Sequence, residues 1–198
     1  MIIANYRDPR TCDIVLCGPS PGPQNGSQIS PWREQLIELV RPWLGDKDVI
    51  IAVPEFGSGL THAQGREQYP DFEPAAWEHK QISRCSVQVF WLDYAIGEKI
   101  DPNSRPGFDT RLELGMALGE YAAVGMDEDA MRALVIGMPD PGALPQRGGL
   151  SRFHLNRLGI PVHKTLEMLA DHLVTKYYDA PTFWKSASAW GAASKIKR

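Results

Sequence analysis

The chain has 198 residues, 43% hydrophobic and 23% charged, with a net charge of −3. That is enough chain for one domain with a full core and no disulfide or metal staple, and its mild acidity argues against a nucleic-acid backbone or an anionic membrane surface as a partner. No apolar run approaches the ~18 residues of a spanning helix, the N-terminal M-I-I-A-N-Y-R-D lacks a signal peptide's apolar core, and Cys12, Cys17 and Cys85, with no C-x-x-C pair, suit buried thiols in a reducing cytosol.

Residues 13–17 (D-I-V-L-C) form a short apolar run that ends at G-P-S-P-G-P and reads as a buried first strand. A long Gly/Pro/Ser/Asn loop follows. Pro31 then opens a helix over residues 32–44, with apolar positions at Leu36, Ile37, Leu39 and Val40. Residues 49–53 (V-I-I-A-V) are a second strand, and residues 54–71 read as loop. Pro74 opens a helix to about residue 84, and residues 86–93 are a third strand. A helix is expected over 109–123, a fourth strand over 132–138, a helix over 151–158, a short fifth strand over 161–164 and a last helix over 165–177. Strands alternating with helices predict a parallel sheet covered on both faces. The expected fold is thus α/β: a single-domain, flavodoxin-like three-layer sandwich over residues 1–178, with a five-stranded parallel sheet in the order 2-1-3-4-5. The tail 179–198, which carries Phe183, Trp184 and Trp190, either packs on a neighbour or is flexible.

The chemistry concentrates between residues 87 and 119. An apolar strand ends in Asp93, a polar loop follows, and the next helix carries Glu113 in its first turns. Two carboxylates then stand near the carboxyl edge of a parallel sheet, where ligands of such sheets bind. Carboxylates in unlike surroundings can divide nucleophile and acid roles at a sugar carbon. Each also has a plainer role. Thr110 and Glu113 fit the S/T-x-x-E capping box, and Asp93 can cap a turn at a strand end. Trp77 and Glu78 lie in the first turns after Pro74, and Trp77 and Trp91 are candidate stacking walls. In the loop after the first strand, Gly18 lets the backbone approach a ligand, and Ser20, Ser27 or Ser30 can bind hydroxyls or phosphate. His62, His79, His154, His163 and His172 show no tight ligand spacing, so no metal is expected. No P-loop, G-x-G-x-x-G or G-x-S-x-G motif occurs.

The motifs L-C-G-P-S, P-W-R and A-W-E-H-K-Q-I-S-R-C-S-V-Q-V-F-W-L-D, leading to T-R-L-E-L-G-M-A-L-G, resemble the nucleoside 2-deoxyribosyltransferase-like family over roughly residues 13–138. The resemblance implies that Glu113 is the nucleophile, that Asp93 assists the base, and that Gly18 and its neighbours hold the ligand. Asp109, Thr110, Trp77, Glu78 and Ser20 are the further candidates for substrate contact. The chain departs from the family pattern at Gly107, where an Asp is frequent, and at Arg111, where a small Ala is common. The implied activity is cleavage of an N-glycosidic bond of a nucleoside or nucleotide through a covalent sugar ester on Glu113. The sugar then passes to another nucleobase or to water. That chemistry needs no metal or redox cofactor. A cytoplasmic homo-oligomer is expected, with no membrane partner and none of nucleic acid. Two alternatives stay open: a hydrolase of nucleoside 5′-monophosphates, and a nucleotide-binding module without catalysis.

Overall fold

The computed structural model describes residues 1–20, 28–93, 96, 108–123, 134–139 and 149–179. The tail beyond residue 179, Gly107, Ser27 and the side chains of Asp109 and Arg111 lie outside the described residues. In chain order the described elements are β1 (Ile2–Ala4), β2 (Ile14–Cys17), α1 (Pro31–Leu44), β3 (Ile50–Ala52), α2 (His62–Gln68), α3 (Pro74–Ile82), β4 (Val87–Trp91), α4 (Phe108–Ala123), β5 (Leu134–Gly137), α5 (Gly149–Arg157), β6 (Val162–His163) and α6 (Leu166–Asp179).

The strands form one parallel sheet in the order β1-β3-β2-β4-β5-β6. The five expected strands keep their expected order within it. The sixth, β1, adds to the edge beside β3, pairing Ile2 with Ile50 and Ala4 with Ala52. The expectation of five strands is therefore corrected to six. Three residues at an edge carry too little alternation to announce a strand.

Residue parity along the strands explains the layers. Ile14 and Leu16 of β2, Val87, Val89 and Trp91 of β4, and Val135 of β5 face one side, where α1 and α6 cover them with Leu36, Val40, Leu44, Leu169 and Leu173. Val15 and Cys17, Phe90, and Leu134 and Ile136 face the other side, against Trp77, Leu114, Ala117 and Leu155. Each fully buried aliphatic side chain of this kind contributes roughly 1.5–3 kcal/mol relative to exposure. All three cysteines are buried free thiols. Among the described residues no helix is long and apolar enough to cross a membrane.

Two local features position the site. The segment expected as loop after β3 holds a helix, α2, because Thr61 caps it with a full capping box: its hydroxyl accepts from the Gln64 amide, and Gln64 Oε1 accepts from the Thr61 amide. The order reversal around β2 puts the carboxyl ends of β2 and β4 side by side. They touch there: a Cβ on Gly18 would stand 2.9 Å from the Trp91 carbonyl oxygen and 2.6 Å from the Trp32 ring. Only glycine fits that approach.

Candidate active site

A cavity of about 390 Å³ opens beside α2, α3 and α4, within the ~300–1,000 Å³ range of small-molecule sites. Its polar lining is Tyr6, His62, Arg66, Glu78, His79, Ser83 and Glu113, and its apolar lining includes Ile82, Leu112, Met116 and Ala117.

Tyr6 is the best-anchored of these groups. The chain turns sharply after β1, with Arg7 at φ 75° and the Asp8 amide donating to the Asn5 carbonyl at 3.0 Å. The Tyr6 amide donates to the Glu55 carbonyl at 2.8 Å. Its ring is boxed by Phe56, Trp77, Phe72 and His62, with centroids 5.0, 5.2, 5.4 and 5.6 Å away. The phenol donates to Glu78 Oε1. Burial pushes the Tyr6 hydroxyl well above its ordinary range, and the charge of Glu78 and its hydrogen bond push the same way. The charge of Glu113 adds to this, while that of Arg33 opposes it. Tyr6 is thus a fixed donor at neutral pH.

Glu113 is half-buried on α4 and lines the same cavity. Burial holds the Cys17 thiol protonated, and the negative charge of Glu113 adds to this. The helix already runs from Phe108, so buried Thr110 is its third residue and does not stand at its cap. A capping box from Thr110 to Glu113 therefore does not account for Glu113 here.

His62 also lines the cavity. Its Nε2 is buried and makes no hydrogen bond among the described residues. Burial lowers its pKa against the opposing pull of Glu78 and Glu55, so the ring is neutral at pH 7 and can accept or donate. Arg66 and His79 are exposed on the adjoining helices.

The other expected residues fall elsewhere. Asp93 lies two residues beyond β4, half-exposed, and its Oδ1 accepts from the Ile96 amide at 3.3 Å; it does not line this cavity. Trp77 is buried beside Tyr6, its indole donating to the Asp8 carbonyl at 2.9 Å, and does not line this cavity. Trp91 points to the opposite face of the sheet, where it lies near-parallel to Trp32 with centroids 6.4 Å apart. It shares that face with Val87 and Val89 by strand parity and does not line this cavity. Gly18 and Ser20 lie at the end of β2, tied to Arg33. Glu78 lines the cavity, and the side chain of Asp109 is outside the described residues.

Sequence reasoning missed Tyr6, the placement of His62, and the buried pair Arg33 and Glu55. Among the described residues no group of three or more His, Cys, Asp or Glu side chains is placed to hold a metal ion. No family model matches the chain, and no curated protein matches it significantly in sequence.

Proposed function

We propose that the chain cleaves the N-glycosidic bond of a (deoxy)nucleoside or nucleotide and passes the sugar to another nucleobase. The observation that carries this reading is the convergence of Glu113, Glu78 and the hydroxyl of Tyr6 on one cavity of small-molecule size. A carboxylate oxygen of Glu113 attacks C1′ and forms an ester. The C1′–N bond breaks, and its electron pair leaves with the base. The base needs a proton as it departs. Glu78, held through Oε1 by Tyr6, is the carboxyl group of the cavity suited to relay one from solvent to the base. Geometry favours Glu78 over Asp93 for this role, because only Glu78 lines the cavity. A second base, deprotonated in the same place, then takes the sugar and regenerates Glu113. Water taking the sugar instead gives the hydrolase.

Two coarser features agree with the reading. The parallel sheet, with its order reversal beside β2, is compatible with a flavodoxin-like fold, and Tyr6 lines the cavity from just past the carboxyl end of β1. Leu112 and Met116 stand exposed at the cavity's rim, an apolar lip suited to a neighbouring copy, so a homo-oligomer belongs to the same proposal.

The test is base release. Wild type and Glu113→Gln are incubated with a panel of nucleosides and 5′-monophosphates, with and without an acceptor base, and the products are separated by chromatography. Base release lost in a folded Glu113→Gln supports the reading. New nucleoside identifies transfer, and free sugar or sugar phosphate identifies hydrolysis. A wild type that binds members of the panel and releases no base contradicts the enzyme and leaves a binding module.

A further inference from the structure

Residues 6–12 are fastened to α3 at successive points. The Tyr6 hydroxyl donates to Glu78, the Trp77 indole to the Asp8 carbonyl at 2.9 Å, Lys80 Nζ to the Pro9 carbonyl at 2.8 Å and Gln81 Nε2 to the Arg10 carbonyl at 2.9 Å. Gln81, fully buried, also accepts at Oε1 from the Cys12 amide at 3.0 Å. The seam continues where both segments enter the sheet. There the amides of Ser86 and Val87 donate to the Asp13 carbonyl at 2.8 and 2.9 Å. Cys12 and Cys85 are thus neighbours at the amino ends of β2 and β4. Both are buried in the same core layer, and a hydrogen bond joins their thiols. Adjacent strands lie about 4.7–4.9 Å apart, inside the ~4.4–6.8 Å between Cα atoms that a disulfide spans. Cys17, the third thiol, stands at the other end of β2.

We propose that Cys12 and Cys85 are an oxidation site, at which a hydroperoxide converts the two thiols to a disulfide that closes the seam between α3 and residues 6–12. With hydrogen peroxide, the Cys12 sulfur attacks one oxygen and the O–O bond breaks, giving a sulfenic acid and one water. The Cys85 sulfur then attacks the sulfenic sulfur. The S–S bond forms, the S–O bond breaks, and hydroxide leaves with the Cys85 proton as a second water. The two thiols lose two electrons, and the peroxide takes both. Cys12 attacks first because burial, then the hydrogen bond to Cys12, hold Cys85 as the thiol. Burial also keeps the thiolate scarce, so the site answers sustained oxidation and not a brief pulse. The consequence falls on the cavity, because α3 supplies Glu78, His79 and Ser83 to its wall. A link between residues 12 and 85 also closes a long loop of the unfolded chain, which stabilises the fold. None of this depends on the glycosidic reading.

The full chain is treated with hydrogen peroxide, the remaining thiols are alkylated in denaturant, and the products are mapped by non-reducing peptide analysis. Wild type should lose two of its three free thiols to a Cys12–Cys85 link that dithiothreitol reverses. Its Tm should rise by roughly 5–15 °C on oxidation, and amides in the last turn of α3 should exchange more slowly with solvent. Cys85→Ala keeps a small apolar group in the core, and peroxide should not raise its Tm. Oxidation of the exposed Met116 and Met168 shows that the peroxide has acted. Three reduced thiols at that point overturn the site. So does a link through Cys17, or sulfinic acid on Cys12 with no link. An equal rise in Tm for Cys85→Ala and wild type overturns the closed seam. If Cys85→Ala does not fold, the wild-type peptide map decides alone.

Discussion

The Tyr6 hydroxyl donates to Glu78 Oε1, joining the turn after the edge strand β1 to helix α3 across the floor of the cavity that Glu113 also lines. Removing that donor leaves a carboxylate beside a ring in an aromatic box. Tyr6→Phe should therefore lose roughly 1.5–3 kcal/mol of stability, the range for a hydrogen bond to a charged group. It should also lower kcat for base release, because Glu78 Oε1 loses its anchor. Glu78→Gln keeps the shape but cannot relay a proton, and should lower kcat by roughly 10²–10⁴-fold, the range of acid–base catalysis. Urea unfolding and steady-state kinetics on both variants check this. A Glu78→Gln enzyme with wild-type kcat removes Glu78 as the acid.

The place of Glu113 was legible because it follows an apolar strand and a polar loop at a spacing that puts it in the early turns of the next helix. Tyr6 was not. Its partner is 72 residues away, and no local pattern in Asn5-Tyr6-Arg7 announces a contact of that range. The order of five strands followed from their apolar runs and the alternation with helices, while β1, an edge strand of three residues, gave no such run. Helix α2 did carry a signal, Thr61-His62-Ala63-Gln64, a capping box hidden among Gly and Ser that favoured a loop. Strand parity would have placed Trp91 with Val87 and Val89, away from Glu113. The bonds of Arg33 are non-local, so the short P-W-R motif hinted at its place but not at its partners.

Gly65 of α2 is buried against Phe56, where a Cβ would stand 2.1 Å from the ring. Helix propensity alone would make Gly65→Ala stabilising by up to about 1 kcal/mol. Packing should win. The variant should lose about 1–3 kcal/mol, as overpacked cores do, and α2 should shift, carrying His62 and Arg66 at the cavity wall. Chemical denaturation decides the sign, and a stabilised Gly65→Ala would show that α2 can move away from Phe56 without cost.

His163 of β6 and His172 of α6 meet with Nε2 and Nδ1 2.6 Å apart. Burial, then the charge of His163, then that of Lys176 lower the pKa of His172 from 6.5 to about 4. Burial lowers that of His163 as well. Both folded values lie below the unfolded one, so the unfolded chain binds more protons as the medium acidifies. The stability contributed by the neutral pair is present above about pH 6.5 and is lost as pH falls toward 4. Replacing His172 with Gln should flatten that acid limb. Denaturation midpoints between pH 4 and pH 8 test it, and parallel curves for the two proteins would contradict it.

The covalent ester on Glu113 is the centre of the account. It is tested most directly by intact-mass spectrometry after mixing the protein with a substrate nucleoside or nucleotide whose C2′ carries fluorine, which slows release of the sugar by destabilising an oxocarbenium-like transition state. The protein should gain the mass of one glycosyl group, mapped by peptide analysis to Glu113 and absent from Glu113→Gln. Release of base by wild type with the adduct on another residue, or full turnover by Glu113→Gln, would contradict it.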